Sequence, residues 1–128
     1  MTRDADDLVA DARRRIHRVP PERLDQVLEE GGLVVDIRPE AQRRAEGTLE
    51  GAIVIERNVL EWRLDPRGDH RIPDVRDHDQ EVVIVCSEGY ASSLAAASLA
   101  DLGFRRAADL EGGYTAWRAW IDRKVVAL

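Results

Sequence analysis

VVIVCSEGYASSLAAASLADLG, residues Val82 to Gly103, contains the single cysteine of a 128-residue chain. Its first four residues are β-branched and apolar, the pattern of a strand buried on both faces of a parallel sheet. The alanine-rich run from Ser92 to Leu102, stopped by Gly103, reads as a helix. Ser87 to Ala91 must then turn the chain between them. Strand, short loop and helix in that order put Cys86 at the carboxyl end of a strand, where open α/β sheets bind ligands. Gly89 gives the loop freedom to curl, and Ser92 is a good residue type for capping the helix that follows. Backbone N–H groups of such a loop converge on the sulfur and favour its negative form, so Cys86 is expected to be a thiolate nucleophile. A lone cysteine without this context would read as a small buried hydrophobe.

Outward from this unit, the chain alternates helix and strand. Ala5, Leu8, Val9, Ala12 and Ile16 recur at helical spacing in DADDLVADARRRIH, with acids early and arginines late, as the helix dipole prefers. PPERLDQVLEEGG predicts a short helix with Pro21 in its first turn, Leu24, Val27 and Leu28 on one face, and Gly31 at its end. Leu33–Ile37, Ala52–Ile55, Glu81–Cys86 and Ala107–Leu110 are brief and apolar, as buried strands are. Further helical segments are read at Asn58–Leu64 and Tyr114–Val126, and Leu64–Gln80 is one long charged loop. The expectation is an α/β domain with a mostly parallel central sheet flanked by helices on both faces. Residues 1–19 are read as an N-terminal helical extension and residues 20–128 as the domain proper.

Composition narrows the function. Nineteen basic against twenty-five acidic residues give a formal charge of −6, the wrong sign for binding a phosphate backbone, so no nucleic-acid partner is expected. One cysteine cannot form an internal disulfide, and MTRDADDLVADARRR has acids where a secretion signal needs an apolar core. A cytoplasmic, reduced protein with no membrane segment follows as the expectation. His17, His70 and His78 show no ligand spacing with Cys86 and read as solvated surface residues.

Four ordered segments carry a family resemblance: VVDIR (Val34–Arg38), EGTLEGAIVI (Glu46–Ile55), the Cys86 strand, loop and helix, and LEGGYTAW (Leu110–Trp117). Together they resemble the rhodanese-like sulfurtransferase domain over roughly Pro20 to Val126. The resemblance implies a small α/β fold and a cysteine that accepts sulfane sulfur as a persulfide, then passes it to a thiophilic acceptor. Cys86 would be the nucleophile, and Ser87, Glu88, Gly89, Tyr90, Ala91 and Ser92 the cradle for the outer sulfur. No cofactor or metal is implied. The partners would be a small-molecule or protein sulfur donor and a thiol acceptor, with the chain a monomer or a weak homodimer.

Two departures from the family pattern bear on the donor. Ala91 stands where many active members have arginine, and Glu88 adds a carboxylate to the loop. At ~8 Å and an effective dielectric of about 20, one unit charge costs roughly 2 kcal/mol against another, so an inward Glu88 would disfavour dianionic thiosulfate relative to a less anionic thiosulfonate or persulfide. Thr48 replaces the usual histidine of the glycine segment. Arg57, Arg63, Arg67 and Arg71 are candidate compensating cations, Arg63 foremost. Asp36 and Arg38 read as structural, tied to Glu40 or Glu46. Tyr114, Trp117, Trp120 and Ile121 form a core stripe, and Tyr90 shapes the mouth of the site. A phosphatase would need arginine at position 92, where the chain has serine, and a thioredoxin-like oxidoreductase would need a second cysteine. The rival is a non-catalytic rhodanese-like module that binds a partner or senses persulfides.

Overall fold

The computed structural model of the chain describes residues 2–127. Strands β1 (His17–Val19), β2 (Leu33–Asp36), β3 (Ile53–Val54), β4 (Val82–Val85) and β5 (Ala107–Leu110) form one sheet in the order β1-β5-β4-β2-β3, with every neighbouring pair parallel. Every residue of β2, β4 and β5 is buried, which is why these segments are apolar without alternation.

Successive strand side chains supply two separate cores. Val35, Val82, Ile84 and Ala107 pack with Leu60 and Leu64 of α4 (Leu60–Leu64), with Ala95, Ala96 and Leu99 of α5 (Ala91–Leu102), and with Phe104. Val34, Val83, Val85, Ala108 and Leu110 pack on the other face with Leu24 and Val27 of α2 (Leu24–Glu29) and Tyr114 of α6 (Gly113–Ala127). Helices therefore cover both faces. From β2 the chain moves outward to β3, and from β4 it moves the opposite way to β5. The carboxyl ends of β2 and β4 thus flank the point where connections diverge, the usual ligand crevice of such sheets. No helix among the described residues is long and apolar enough to cross a membrane.

Several elements depart from the sequence reading. The helix α1 (Ala5–Arg14) opens with a capping box, Asp4 and Asp7 bonding each other's backbone N–H, but it stops before Ile16. His17–Val19, placed above in the extension, is an edge strand in register with Ala108–Leu110. Only Val19 of the three is buried, so no apolar run advertised it. Helix α3 (Glu40–Glu46) was not anticipated because it buries none of its residues and so has no apolar stripe. In the last helix Tyr114 is buried, whereas Trp117, Trp120 and Ile121 are only partly covered, a thinner stripe than expected. His78 is half-buried and packs on the Phe104 ring at 5.4 Å, so it is not a free surface histidine.

The largest fully buried side chain is charged: Arg38, at 2% exposure. Its guanidinium grips both carboxylate oxygens of Asp36, with Nη2–Oδ2 at 2.7 Å, reaches Glu46 at 3.2 Å and the Gly47 carbonyl at 2.9 Å, and lies 4.1 Å above the Tyr114 ring. Burial alone would lower the Arg38 guanidinium, but the hydrogen bonds and charge of Asp36, then Glu46, outweigh it and hold it above its ordinary value. Glu46, not Glu40, is the second acidic partner, and Glu40 pairs with Arg44 instead. Removing one member of a buried pair strands the other. Arg38→Met is therefore expected to lower the unfolding free energy by about 3–5 kcal/mol, read from urea denaturation, while Arg44→Met, which loses only an exposed pair, changes it by less than about 1 kcal/mol.

Candidate active site

Cys86 follows the last residue of β4, the central strand, and is 8% exposed. Its Sγ accepts the backbone N–H of Gly89 at 3.2 Å and of Ser92 at 3.3 Å. The loop between them is Ser87–Tyr90, and α5 begins at Ala91 with Tyr90 at its cap and no side-chain cap bond. Ser92 is therefore not the cap inferred from residue type. It sits in the first turn of α5, its N–H already taken by the sulfur and its hydroxyl donated to Asp109 at 2.8 Å. In effect Cys86 Sγ caps the helix, meeting an N–H that a cap side chain would otherwise accept and lying at the positive end of the helix dipole.

The loop can curl this tightly because α6 abuts it without a side chain. Gly89 has φ +89°, and a β-carbon there would lie 2.9 Å from the Gly112 nitrogen. Gly113, at φ +63°, is closer still: a β-carbon would meet the Cys86 carbonyl oxygen at 2.6 Å and the Glu88 nitrogen at 2.7 Å. That approach lets the Tyr114 and Thr115 N–H groups bond the Cys86 and Ser87 carbonyls at 2.9 and 3.0 Å. With those carbonyls held by α6, the loop keeps the curl that brings the Gly89 and Ser92 N–H groups to the sulfur.

The other predicted loop residues divide by exposure. Ser87 turns outward, its hydroxyl 2.8 Å from Glu46 and 2.9 Å from Gln42 of α3. Glu88, Tyr90 and Ala91 are exposed, so water screens the Glu88 carboxylate. The four candidate arginines are all exposed, and three of them are engaged by other partners. Arg57 pairs with Glu61 and lines a recess with Ile37, Pro39 and Asn58, beyond the carboxyl end of β2. Arg63 donates to the His70 carbonyl at 2.7 Å, and Arg71 to that of Pro66. Arg67 lines a different recess, with His78 and Arg105, beside the amino ends of β4 and β5. The reason is topological: after α4 the chain must return to the start of β4, which carries Arg67 away from the cysteine.

Three residues beneath the loop escaped the sequence reading. Asp109 of β5 is fully buried and accepts the hydroxyls of Ser92 and Ser93, the latter at 2.7 Å, and Arg18 Nε at 3.0 Å. Arg18 Nη2 continues to the Gly89 carbonyl at 3.1 Å, and Arg13 Nη2 reaches the same oxygen at 2.8 Å. Arg13 also lies 5.5 Å from the centre of the Tyr90 ring. One signal was present in the sequence: an aspartate inside the apolar strand AADL has to find cationic or hydroxyl partners when buried.

The contact at Gly113 is directly testable. Gly113→Ala is expected to push the first turn of α6 off the loop, slowing alkylation of Cys86 at neutral pH about tenfold or more and lowering stability by about 1–3 kcal/mol. Timed mass spectrometry of the alkylated protein and a urea titration would read both.

Comparison with known proteins agrees with this geometry. The model of the family described as rhodanese-like domain matches residues 20–119. A thiosulfate sulfurtransferase GlpE from Pseudomonas fluorescens is 35% identical over 105 residues, 80% of this chain and 84% of that protein. Among solved structures, a protein of unknown function from Rhodopseudomonas palustris, described as a possible tyrosine phosphatase, is 28% identical with a TM-score of 0.83, covering 94% of this chain and 92% of its own. A rhodanese homolog from Thermus thermophilus is 33% identical with a TM-score of 0.55, over 78% and 99% of the two chains. With the cysteine loop at the carboxyl end of the central strand and a family match over most of its length, the chain belongs to the rhodanese-like domain family.

Proposed function

We propose that this rhodanese-type sulfurtransferase carries sulfane sulfur as a persulfide on Cys86 between a donor and a thiol acceptor. The observation that carries the reading is the pair of N–H groups, from Gly89 and Ser92, directed at Sγ. Donors so placed meet the negative charge on the sulfur as it attacks and as it leaves. In the first half-reaction a Cys86 electron pair forms a bond to the outer sulfur of the donor. The donor's sulfur–sulfur bond breaks with its electrons on the leaving group, sulfite from thiosulfate or a sulfinate from a thiosulfonate. In the second, an acceptor thiolate attacks the outer sulfur and Cys86 leaves as thiolate, completing a ping-pong cycle. Among the cradle residues, Ser87, Glu88, Gly89, Tyr90, Ala91 and Ser92 would surround the outer sulfur chiefly through backbone N–H groups. Arg63 stands as a substrate contact only if its guanidinium leaves the His70 carbonyl.

The name of one solved relative raises phosphate chemistry. A cysteine phosphatase clamps its oxyanion with arginine six positions after the nucleophile. Here that position is Ser92, whose hydroxyl is committed to Asp109, which favours sulfur transfer. A reduced, cytoplasmic setting suits a lone thiol that must cycle.

The reduced protein would be incubated with thiosulfate or with an organic thiosulfonate, then weighed intact beside Cys86→Ser. A gain of one sulfur atom that needs Cys86 is the expected result. No gain from either donor, with the thiol still open to alkylation, would point instead to a binding or sensing module. We expect the thiosulfonate to be the better donor. Because Glu88 is exposed, Glu88→Gln should lower the thiosulfate KM only about two- to threefold at low salt, an effect that fades at high ionic strength. A KM that does not move would remove Glu88 as the reason for donor preference.

A further inference from the structure

The family match begins at residue 20, yet two arginines ahead of it reach the catalytic loop. Arg13 projects from α1 and Arg18 from β1, and both donate to one acceptor, the Gly89 carbonyl. Arg18 is braced by the buried carboxylate of Asp109, and Arg13 Nε bonds Ser93 Oγ at 3.0 Å. Two separate elements converging on one carbonyl is more than α1 needs for docking, since Arg15 already pairs with Asp101 of α5.

The loop chemistry explains the need. Gly89 is the residue whose N–H points at Sγ, and at φ +89° it occupies a conformation only glycine holds easily. The freedom that allows this conformation also makes the flanking peptides easy to rotate. Fixing the Gly89 carbonyl fixes the peptide it shares with Tyr90 and leaves only the two dihedrals of one α-carbon between that anchored plane and the Gly89 N–H. A trans peptide held by its oxygen also presents the Tyr90 N–H on the side away from the two guanidiniums.

We propose that the segment ahead of the family-matched region is part of the active-site machinery, with Arg13 and Arg18 as positioning residues that lock the Gly89 carbonyl so that the loop N–H groups stay on the Cys86 sulfur. They bring two cations, from α1 and β1, to a loop that has alanine at position 91. The inference rests on Cys86 being the reacting thiol, and for sulfur loading on the persulfide reading above.

The test uses the full chain with Arg13→Gln, Arg18→Gln, Arg18→Lys and Arg15→Gln. The last removes the same charge from the end of α1 without touching Gly89. Alkylation of Cys86 by iodoacetamide is followed from about pH 5 to 10, which does not depend on sulfur transfer, and thiosulfonate loading is timed by intact mass. Arg13→Gln and Arg18→Gln should each slow alkylation at neutral pH and sulfur loading about tenfold, the scale of losing one charge-assisted hydrogen bond. Arg18→Lys, which keeps the charge but cannot bridge Asp109 and Gly89 together, should behave like Arg18→Gln. Arg15→Gln should match the wild type. Should Arg18→Gln not fold with Asp109 left short of a partner, Arg13→Gln decides alone, because Asp109 keeps its arginine and both serines. Wild-type alkylation profiles in the Gly89-contacting variants, or an equal shift in Arg15→Gln, would overturn the proposal. A wild type that never loads sulfur would instead sink the sulfurtransferase reading, while the alkylation profiles still judge the clamp.

Discussion

Two backbone N–H groups aimed at one sulfur atom are the constraint around which the rest of this molecule is arranged. Because the donors are main chain, no single side chain supplies them, and they last only while several peptides hold fixed orientations. The carbonyls of the neighbouring loop peptides are held from outside. Tyr114 and Thr115 take the Cys86 and Ser87 carbonyls, and the two guanidiniums take that of Gly89. Ser93 N–H takes the Tyr90 carbonyl at the start of α5. The cradle is thus defined as much by what holds its outer surface as by what faces the sulfur.

The buried Arg38 cluster belongs to the same construction. Its guanidinium lies on the Tyr114 ring, and Tyr114 is the residue whose N–H holds the Cys86 carbonyl. Glu46, which accepts from Arg38, also receives the Ser87 hydroxyl. A continuous polar path runs from Asp36 at the end of β2, through Arg38 and Glu46, to the first residue after the cysteine. On the other side of the loop, Asp109 at β5 plays the corresponding part through Ser92, Ser93 and Arg18. Each flanking strand, β2 and β5, thus contributes one buried carboxylate that ties the loop to the sheet beneath it.

Much of this was legible in the sequence where it was written as pattern. VVIV followed by a glycine loop and an alanine-rich helix places the thiol, and Asp36 and Arg38 at a strand end read as structural, although their bond to each other appears only in the structure. The helix start at Ala91 was misplaced because residue type suggested a serine cap, whereas the sulfur already served that helix turn. α3 and β1 were missed because neither has the apolar periodicity that reveals an element: α3 buries nothing and β1 buries one residue. Arg13 read as one of the arginines favoured at a helix end and Arg18 carried no reading, since a contact across more than seventy residues leaves no trace in local spacing. The dispersal of Arg57, Arg63, Arg67 and Arg71 has the same origin, in the path the chain must take between β3 and β4.

The pairing of β1 with β5 has a consequence for how the protein comes into being. Of the five strands described, β1 is made first and has no partner until β5, the last, has been made, so His17–Val19 and the arginines around it are held in waiting during synthesis. Contacts so distant along the chain close late, because the loop entropy must be overcome before they return any stabilisation. Cys86 is translated well before Asp109 and before the α6 turn that holds its carbonyl. The contacts that hold the loop around the sulfur are therefore incomplete until the last elements dock.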